Sequence, residues 1–306
     1  MIKSLRRVAA ACVLAGISGL SAAGPVILGG DDLTDHGSRT AGGVNLEGWL
    51  YIEKAIGNVL GGVSRAGAKT TDIVALGSAA NPAFNAGNAG GAIGSAAQVL
   101  GKSVTYIDGA AAITQFFIDL ANGTINPNML WFAGNNAIND LDTAEGAALT
   151  ANAAAINSFG GSGGGIMAHG SQGSAYGWLS ALLPGLVETG NCNSRGATLT
   201  VAGNAAFPGL TNANIDINAG PCHSSFSGNF GGLTTLAFDG DNRSYIIGGG
   251  AGTLIQCGLP GQPLCPPTDV PEPSSLLLVG IAGLGLAAQL RRRQSKPEIS
   301  PRKRNV

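Results

Sequence analysis

The sequence predicts an α/β protein: a doubly wound, mostly parallel, flavodoxin-like sheet with an antiparallel C-terminal edge, followed by a C-terminal transmembrane helix. Three observations predict it. Short apolar runs alternate with helical patterns between residues 25 and 183, as successive βαβ units require. Several of these runs end in glycine and polar residues, as buried parallel strands do at the carboxyl edge of a sheet. Beyond Pro184 strand-like runs separated by Gly, Asn and Pro replace the helical patterns, so the sheet finishes with an antiparallel edge or hairpin.

The first strand covers 25–28 and ends in Gly29-Gly30-Asp31-Asp32. A polar loop with Asp35, His36 and Arg39 leads to a helix over 46–60, with Leu46, Leu50, Ile56 and Leu60 near helical spacing and Asn45 as N-cap. The second strand is 72–76, and 89–100 is a Gly/Ala-rich helix whose glycines each cost about 1 kcal/mol relative to alanine. The third strand is 103–107, with Asp108 beyond it, and the helix 110–120 presents Ile113, Phe116, Phe117 and Leu120. The fourth strand, 128–132, opens into a loop holding Asn135, Asn136, Asn139 and Asp140. A long Ala-rich helix then runs to about Ser158, with Asp142 or Thr143 at its N-terminus. The fifth strand is 166–168, and His169-Gly170-Ser171-Gln172-Gly173 is a sharp exit into a helix through Leu183. Segments 197–201, 234–238 and 244–247 read as the closing strands. Trp49, Trp131 and Trp178 fall in these patterns as core residues.

The two ends are processing segments. Lys3, Arg6 and Arg7 precede an apolar run over 8–20 closed by Ser21-Ala22-Ala23, a secretory signal peptide cut by signal peptidase after Ala23. Near the other end Pro271-Glu272-Pro273 precedes an uncharged run over 274–290 and then Arg291-Arg292-Arg293. As a helix that run covers roughly 25 Å, the lower end of what a bilayer core requires, with the arginines on the cytoplasmic side. The prolines cannot continue the helix and stay extended at the outer face.

This tripartite order resembles the PEP-CTERM sorting sequence of surface proteins in Gram-negative bacteria. The resemblance implies that an exosortase, a membrane-embedded transpeptidase, recognises Pro271-Glu272-Pro273 and removes the helix. An ordinary anchor has no need of that triplet, although the tail 294–306 runs longer than such signals usually do. The expected organisation is a signal peptide 1–23, an exported α/β domain 24–256, a Cys/Pro-rich linker 257–269, the sorting signal 270–293 with its membrane helix 274–290, and a basic cytoplasmic tail 294–306. The protein is thus expected to cross the inner membrane, stay anchored by its C-terminal helix, and then reach the cell surface or extracellular matrix, with exopolysaccharide a candidate partner.

Charge and cysteine usage agree with export. Seven basic and sixteen acidic residues lie between Gly24 and Val270, a net charge near −9, although the whole chain is at −1. An acidic exported segment argues against nucleic acid as a partner, since binding its phosphates needs a basic footprint. Apart from Cys12, inside the signal peptide, the cysteines are Cys192, Cys222, Cys257 and Cys265. In an oxidising compartment they read as two disulfides, and proximity favours Cys192 with Cys222 and Cys257 with Cys265, one of three connectivities. Their spacing contains no C-x-x-C metal knuckle.

In an open α/β sheet the ligand crevice lies beyond the carboxyl ends of the strands. That directs attention to loops 29–36, 134–140 and 169–173. Asp31, Asp32, Asp35 and His36 form the densest ionisable cluster; Asp31, Asp32 and His36 are candidate ligands of a divalent cation, or the acids cap the next helix. His169, Ser171 and His36 are the candidate catalytic groups, with Ser171 as nucleophile and a histidine as its base. Asn135, Asn136, Asn139 and Asp140 are candidate ligand-binding residues or turn residues. His223, beside Cys222, reads as a surface residue. The loop after the fourth strand, its helix, and Gly163-Gly164-Gly165 with His169 resemble class I glutamine amidotransferase-like domains, particularly the trehalose-utilisation (ThuA-like) branch. The resemblance implies a nucleophilic thiol at the elbow, where this chain has His169, so glutamine hydrolysis is not expected. Three readings stand: a surface or matrix protein that binds a ligand such as polysaccharide, an extracellular hydrolase using His169 with Asp31, Asp32 or His36, and a purely structural scaffold.

Overall fold

A computed structural model describes residues 24–134, 139–170, 175–193, 195–216 and 220–249. The chain opens with β1 (Val26–Gly29), a short hairpin of β2 (Gly37–Arg39) and β3 (Asn45–Glu47), and α1 (Gly48–Gly62). It continues through β4 (Thr71–Leu76), α2 (Ala89–Leu100), β5 (Val104–Ile107), α3 (Ala110–Ala121), β6 (Pro127–Phe132), α4 (Thr143–Ala151), α5 (Ala153–Gly161) and β7 (Gly165–His169). The last third holds α6 (Leu179–Leu182), β8 (Leu186–Thr189), β9 (Thr198–Leu199), α7 (Val201–Ala206), α8 (Asn212–Ile215), β10 (Ser225–Gly228), β11 (Thr234–Phe238) and β12 (Ser244–Gly249).

The main sheet runs β5-β4-β6-β7-β1-β12-β10-β8, with β11 on β12 and β9 on β11. From β5 to β1 all neighbours are parallel. From β12 to β8 they are antiparallel. A mostly parallel sheet with an antiparallel C-terminal edge is therefore present, but its strand order is not that of flavodoxin. Counted along the chain, the flavodoxin order is 2-1-3-4-5. Here the four strands β4 to β7 follow that pattern, while the N-terminal strand β1 takes the place of the final one. Strand period cannot foresee this, because the neighbour of β1 is chosen by packing across 140 residues.

Helices cover both faces. Gly165 and Ile166 are consecutive in β7 and point to opposite sides. A Cβ on Gly165 would lie 2.5 Å from Val59 of α1, whereas the Ile166 side chain reaches Gly160 of α5. The three tryptophans are fully buried, and each indole N–H has an acceptor: Trp49 to Thr34 O (2.8 Å), Trp178 to Ala175 O (2.8 Å), Trp131 to His169 Nε2 (3.1 Å). That satisfies the polar edge each ring carries into the core.

Several local expectations change. Asn45 lies in β3 and does not cap α1, which starts after Glu47 with φ 56° and no side-chain cap. Being buried, the Asn45 amide is used instead on Glu53 and Ser95. The long Ala-rich helix breaks at Asn152 into α4 and α5, and Asp142 caps the first in a reciprocal capping box with Glu145. Thr200 stops the expected strand over 197–201 by capping α7 at Gly203 N–H. The expected helix through Leu183 is one short turn, α6. Among the described residues no helix is long and apolar enough to cross a membrane. The span 274–290 lies outside the described residues, as do Cys257 and Cys265. Cys192 is joined to Cys222, with Cα atoms 5.6 Å apart.

Two stability measurements check this packing. Gly165→Ala should lower the unfolding free energy by about 1–3 kcal/mol in urea melts, because the added methyl overpacks the α1 interface. Replacing Cys192 and Cys222 by serine reopens a loop of sequence separation 30; the expected loss is about 3 kcal/mol.

Candidate functional site

The site is built where β1 runs out. In the parallel register of β1 with β7, Gly29 lies beside His169. The chain then continues as Gly30-Asp31-Asp32 and is clasped by the segment around Cys222. Asp31 bridges Cys222, Asp32 N–H donates to Pro221 O (3.0 Å), and His223 N–H donates to Gly30 O (2.8 Å). The glycine pair is a steric requirement. A Cβ at Gly29 would lie 1.5 Å from Asp31 Oδ2, and one at Gly30 would lie 1.8 Å from Ser224 O.

All three histidines of the chain converge on Asp31 and Asp32. They form two sub-sites of different character. In the first, His169 Nδ1 is 2.6 Å from Asp31 Oδ1, and its Nε2 accepts the Trp131 indole N–H at 3.1 Å. An indole can only donate, so Nε2 presents its lone pair and Nδ1 carries the hydrogen given to Asp31. Both residues are buried, and the rings of Trp131 and Tyr51 meet the imidazole edge-on. Asp31 Oδ1 also accepts Leu33 N–H at 3.1 Å, which shapes the turn into the following loop.

The second sub-site opens to solvent. Asp32, itself buried, receives His223 Nε2 at 2.7 Å on one oxygen and His36 Nε2 at 3.4 Å on the other. The two imidazoles keep 21% and 14% of their side-chain surface exposed. Burial pushes the Asp32 carboxyl up, but hydrogen bonds and charge from His223 and His36 outweigh it and hold it at about 2. Conversely, the hydrogen bond to Asp32 lifts both His36 and His223 above the ordinary imidazole value despite partial burial. Burial also raises Asp35.

Donor atoms of Asp32, Asp35 and His36 all lie within 4.8 Å of one another, close enough to share one cation. A tetrahedral site with bonds near 2.0–2.1 Å separates its ligand atoms by about 3.3 Å, close to the His36–Asp32 spacing. His223, on the other oxygen of Asp32, would hold that ligand in place as an outer partner. Cys192, Cys222 and Asp239 also cluster, but both sulfurs belong to the disulfide and present no thiolate.

Of the residues singled out in the sequence, Asp31, Asp32, His36 and His169 come together, divided between the two sub-sites. Asn139 clamps its own loop: in the left-handed region at φ 67°, its amide accepts Ala79 N–H and donates to Ala79 O and Asn88. Asp140 beside it is half-buried. Ser171, Asn135 and Asn136 lie outside the described residues. His223, which the sequence places at the surface, is a direct partner of Asp32 and keeps 21% of its side chain exposed. Its one sequence signal is its position next to Cys222, because a disulfide holds its neighbour in place.

Residues 269–293 match the family model described as the PEP-CTERM protein-sorting motif. The motif supports an exported surface protein with an exosortase as processing partner, held at the membrane before it is sorted to the cell surface. Neither curated proteins nor solved structures give a match. The amidotransferase-like resemblance therefore has no relative behind it.

The electrostatics of the second sub-site fix a pH dependence for the protein without added metal. His36 and His223 contribute stability that is complete below their unfolded value of 6.5 and is lost as pH rises through their raised folded values. Asp32 contributes stability that is present above 3.8 and is lost as pH falls through about 2. Urea midpoints should therefore be highest for this cluster between those two unfolded values, and Asp32→Asn should flatten both flanks of the profile. An unchanged profile in Asp32→Asn would contradict the ion-pair assignment.

Proposed function

We propose that the exported domain of this surface protein is a divalent-cation-binding module, with Asp32, Asp35 and His36 as ligands and His223 as the group that orients Asp32. The observation that carries the reading is the convergence of every histidine in the chain on one Asp-Asp dipeptide, with the two accessible imidazoles on the solvent side. One imidazole with two carboxylates suits a borderline ion such as zinc or manganese. Three protein ligands leave coordination positions for an outside group, so the bound ion would supply a contact for oxygen donors of a surface polymer such as exopolysaccharide.

Hydrolysis with His169 as acid or base is less well supported. A general base must come within hydrogen-bond reach of substrate. Both ring nitrogens of His169 are engaged inside the sheet and the ring is buried. The Asp31–His169 pair supports a positioning role, since it anchors the turn that presents Asp32. The elbow carries histidine in place of the thiol that glutamine amidotransfer needs.

Metal analysis and calorimetry on the oxidised, exported protein test the reading. One zinc or manganese ion per chain is expected, with binding lost in Asp32→Asn and His36→Ala. His223→Ala should weaken it by roughly 10–100-fold, the usual effect of removing an outer partner. Absence of stoichiometric metal in folded protein, or equal affinity in His36→Ala, would sink the proposal.

A further inference from the structure

We infer that Arg39 anchors a second binding site, one that takes the carboxylate of a small hydroxyl-rich acid such as a uronate sugar unit. This site does not depend on the cation reading: it uses other side chains and another cavity. Its starting point is an unmatched cation. Arg39 ends β2, and its guanidinium carbon lies 4.4 Å from the centroid of the Phe84 ring. Nη1 is buried and makes no hydrogen bond. No ion pair joins Arg39 to any carboxylate among the described residues, in a segment where acids outnumber bases by sixteen to seven. A charged N–H group kept from water without an acceptor is unfavourable, even on a half-buried side chain. A ligand acceptor would recover that cost.

The surroundings are arranged around the guanidinium. A Cβ on Gly43 would lie 2.8 Å from Nη2, and Gly43 sits at φ +84°, so the loop closes over Arg39 only with glycine there. Phe84 occupies the left-handed region at φ 49°, a strained conformation for a bulky residue and one that concentrates at ligand sites. Its ring lies on α2 where Gly91 and Gly94 leave room: a Cβ on Gly94 would stand 3.3 Å from Phe84 Cε1, and one on Gly91 3.4 Å from Phe84 Cα. Two of the glycines that weaken α2 as a helix are thus those against which Phe84 packs.

Arg39, Thr40, Phe84 and Gln98 line a cavity of about 330 Å³, within the usual range for small-molecule sites. The chemistry of the donors selects the ligand. A planar guanidinium seated over an aromatic ring matches a carboxylate in a two-point contact, which a lysine cannot reproduce. Thr40 Oγ1 accepts Val44 N–H at 3.0 Å and keeps its own hydrogen to donate. Gln98, exposed on α2, offers both donor and acceptor to hydroxyls. A carboxylate with neighbouring hydroxyls uses all three groups. A neutral sugar leaves the guanidinium unmatched, and a bare anion leaves Thr40 and Gln98 unused.

Calorimetric titration of the oxidised, exported protein with a galacturonate trisaccharide, in EDTA so that no bound cation contributes, tests the assignment. Binding is expected for the uronate, at least tenfold weaker for the neutral galactose trisaccharide, acetate and sulfate, and at least tenfold weaker for the uronate in Arg39→Gln and Arg39→Lys. Gln98→Ala, which keeps the charge and the Phe84 contact, should weaken the uronate severalfold, whereas Asp32→Asn should leave it unchanged. Failure of the wild-type protein to bind the uronate would overturn the proposal, as would equal binding by Arg39→Gln or acetate as good a ligand as the uronate. Because Asp32→Asn removes only the cation site, loss of one site is distinguishable from loss of the other.

Discussion

The hydrogen bond between Asp31 and His169 is the constraint on which the rest of the site depends. It ties the turn after the N-terminal strand to the end of the fifth parallel strand, two segments far apart in the chain. Both partners are buried, so either one left alone would be an unsatisfied polar group in the core. The pair holds only in one arrangement: β1 beside β7 in a register that brings Gly29 level with His169. That requirement goes with the departure of the strand order from flavodoxin, since β1 must stand at the edge of the parallel block and not at its centre. Trp131, donating to the other nitrogen of His169, completes the arrangement from β6.

What the buried pair achieves is to fix the turn that holds the next residue. Asp32 is itself buried, and two partly exposed histidines meet its two oxygens, one from four residues on and one from a distant segment. His36 comes from the following loop. His223 comes from the far end of the chain and is brought in by the Cys192–Cys222 disulfide and the backbone contacts of Pro221 and His223 with Asp32 and Gly30. The disulfide therefore serves the site as well as the fold. In an oxidising compartment it is expected to form, which agrees with export under a PEP-CTERM sorting motif.

Among the described residues three of the seven basic groups of the acidic exported segment have a carboxylate within 4.0 Å: Lys54 beside Glu53, Lys102 near Asp72, and Arg243 beside Asp239 and Asp241. Arg39 has no such partner among the described residues, and its guanidinium carbon lies 4.4 Å from the centroid of the Phe84 ring. The proposed cation ligands Asp32 and His36 and the proposed anion anchor Arg39 are neighbours in the chain, three residues apart between His36 and Arg39. Glycine is what makes such crowding feasible: a Cβ at Gly29 would meet the Asp31 carboxylate, one at Gly30 the Ser224 carbonyl, and one at Gly43 the Arg39 guanidinium.

Composition and local pattern by themselves determined the PEP-CTERM sorting motif, the α/β class, the alternation of strands and helices through β7, a helix start at Asp142 or Thr143, and the grouping of Asp31, Asp32 and His36. All of these rest on interactions within a few residues or on periodicity, which one dimension preserves. Tertiary structure alone decided the place of β1 in the sheet, the burial of His169 between Asp31 and Trp131, the arrival of His223, and the use of Asn139 as a loop clamp. Each of these depends on a partner distant in the chain, and the free energy that selects it comes from burial and hydrogen-bond satisfaction across the whole core. Residue type shows that a histidine can bind a metal or move a proton. Only the neighbours supplied by the fold decide that His169 holds a turn in place while His36 and His223 face the solvent.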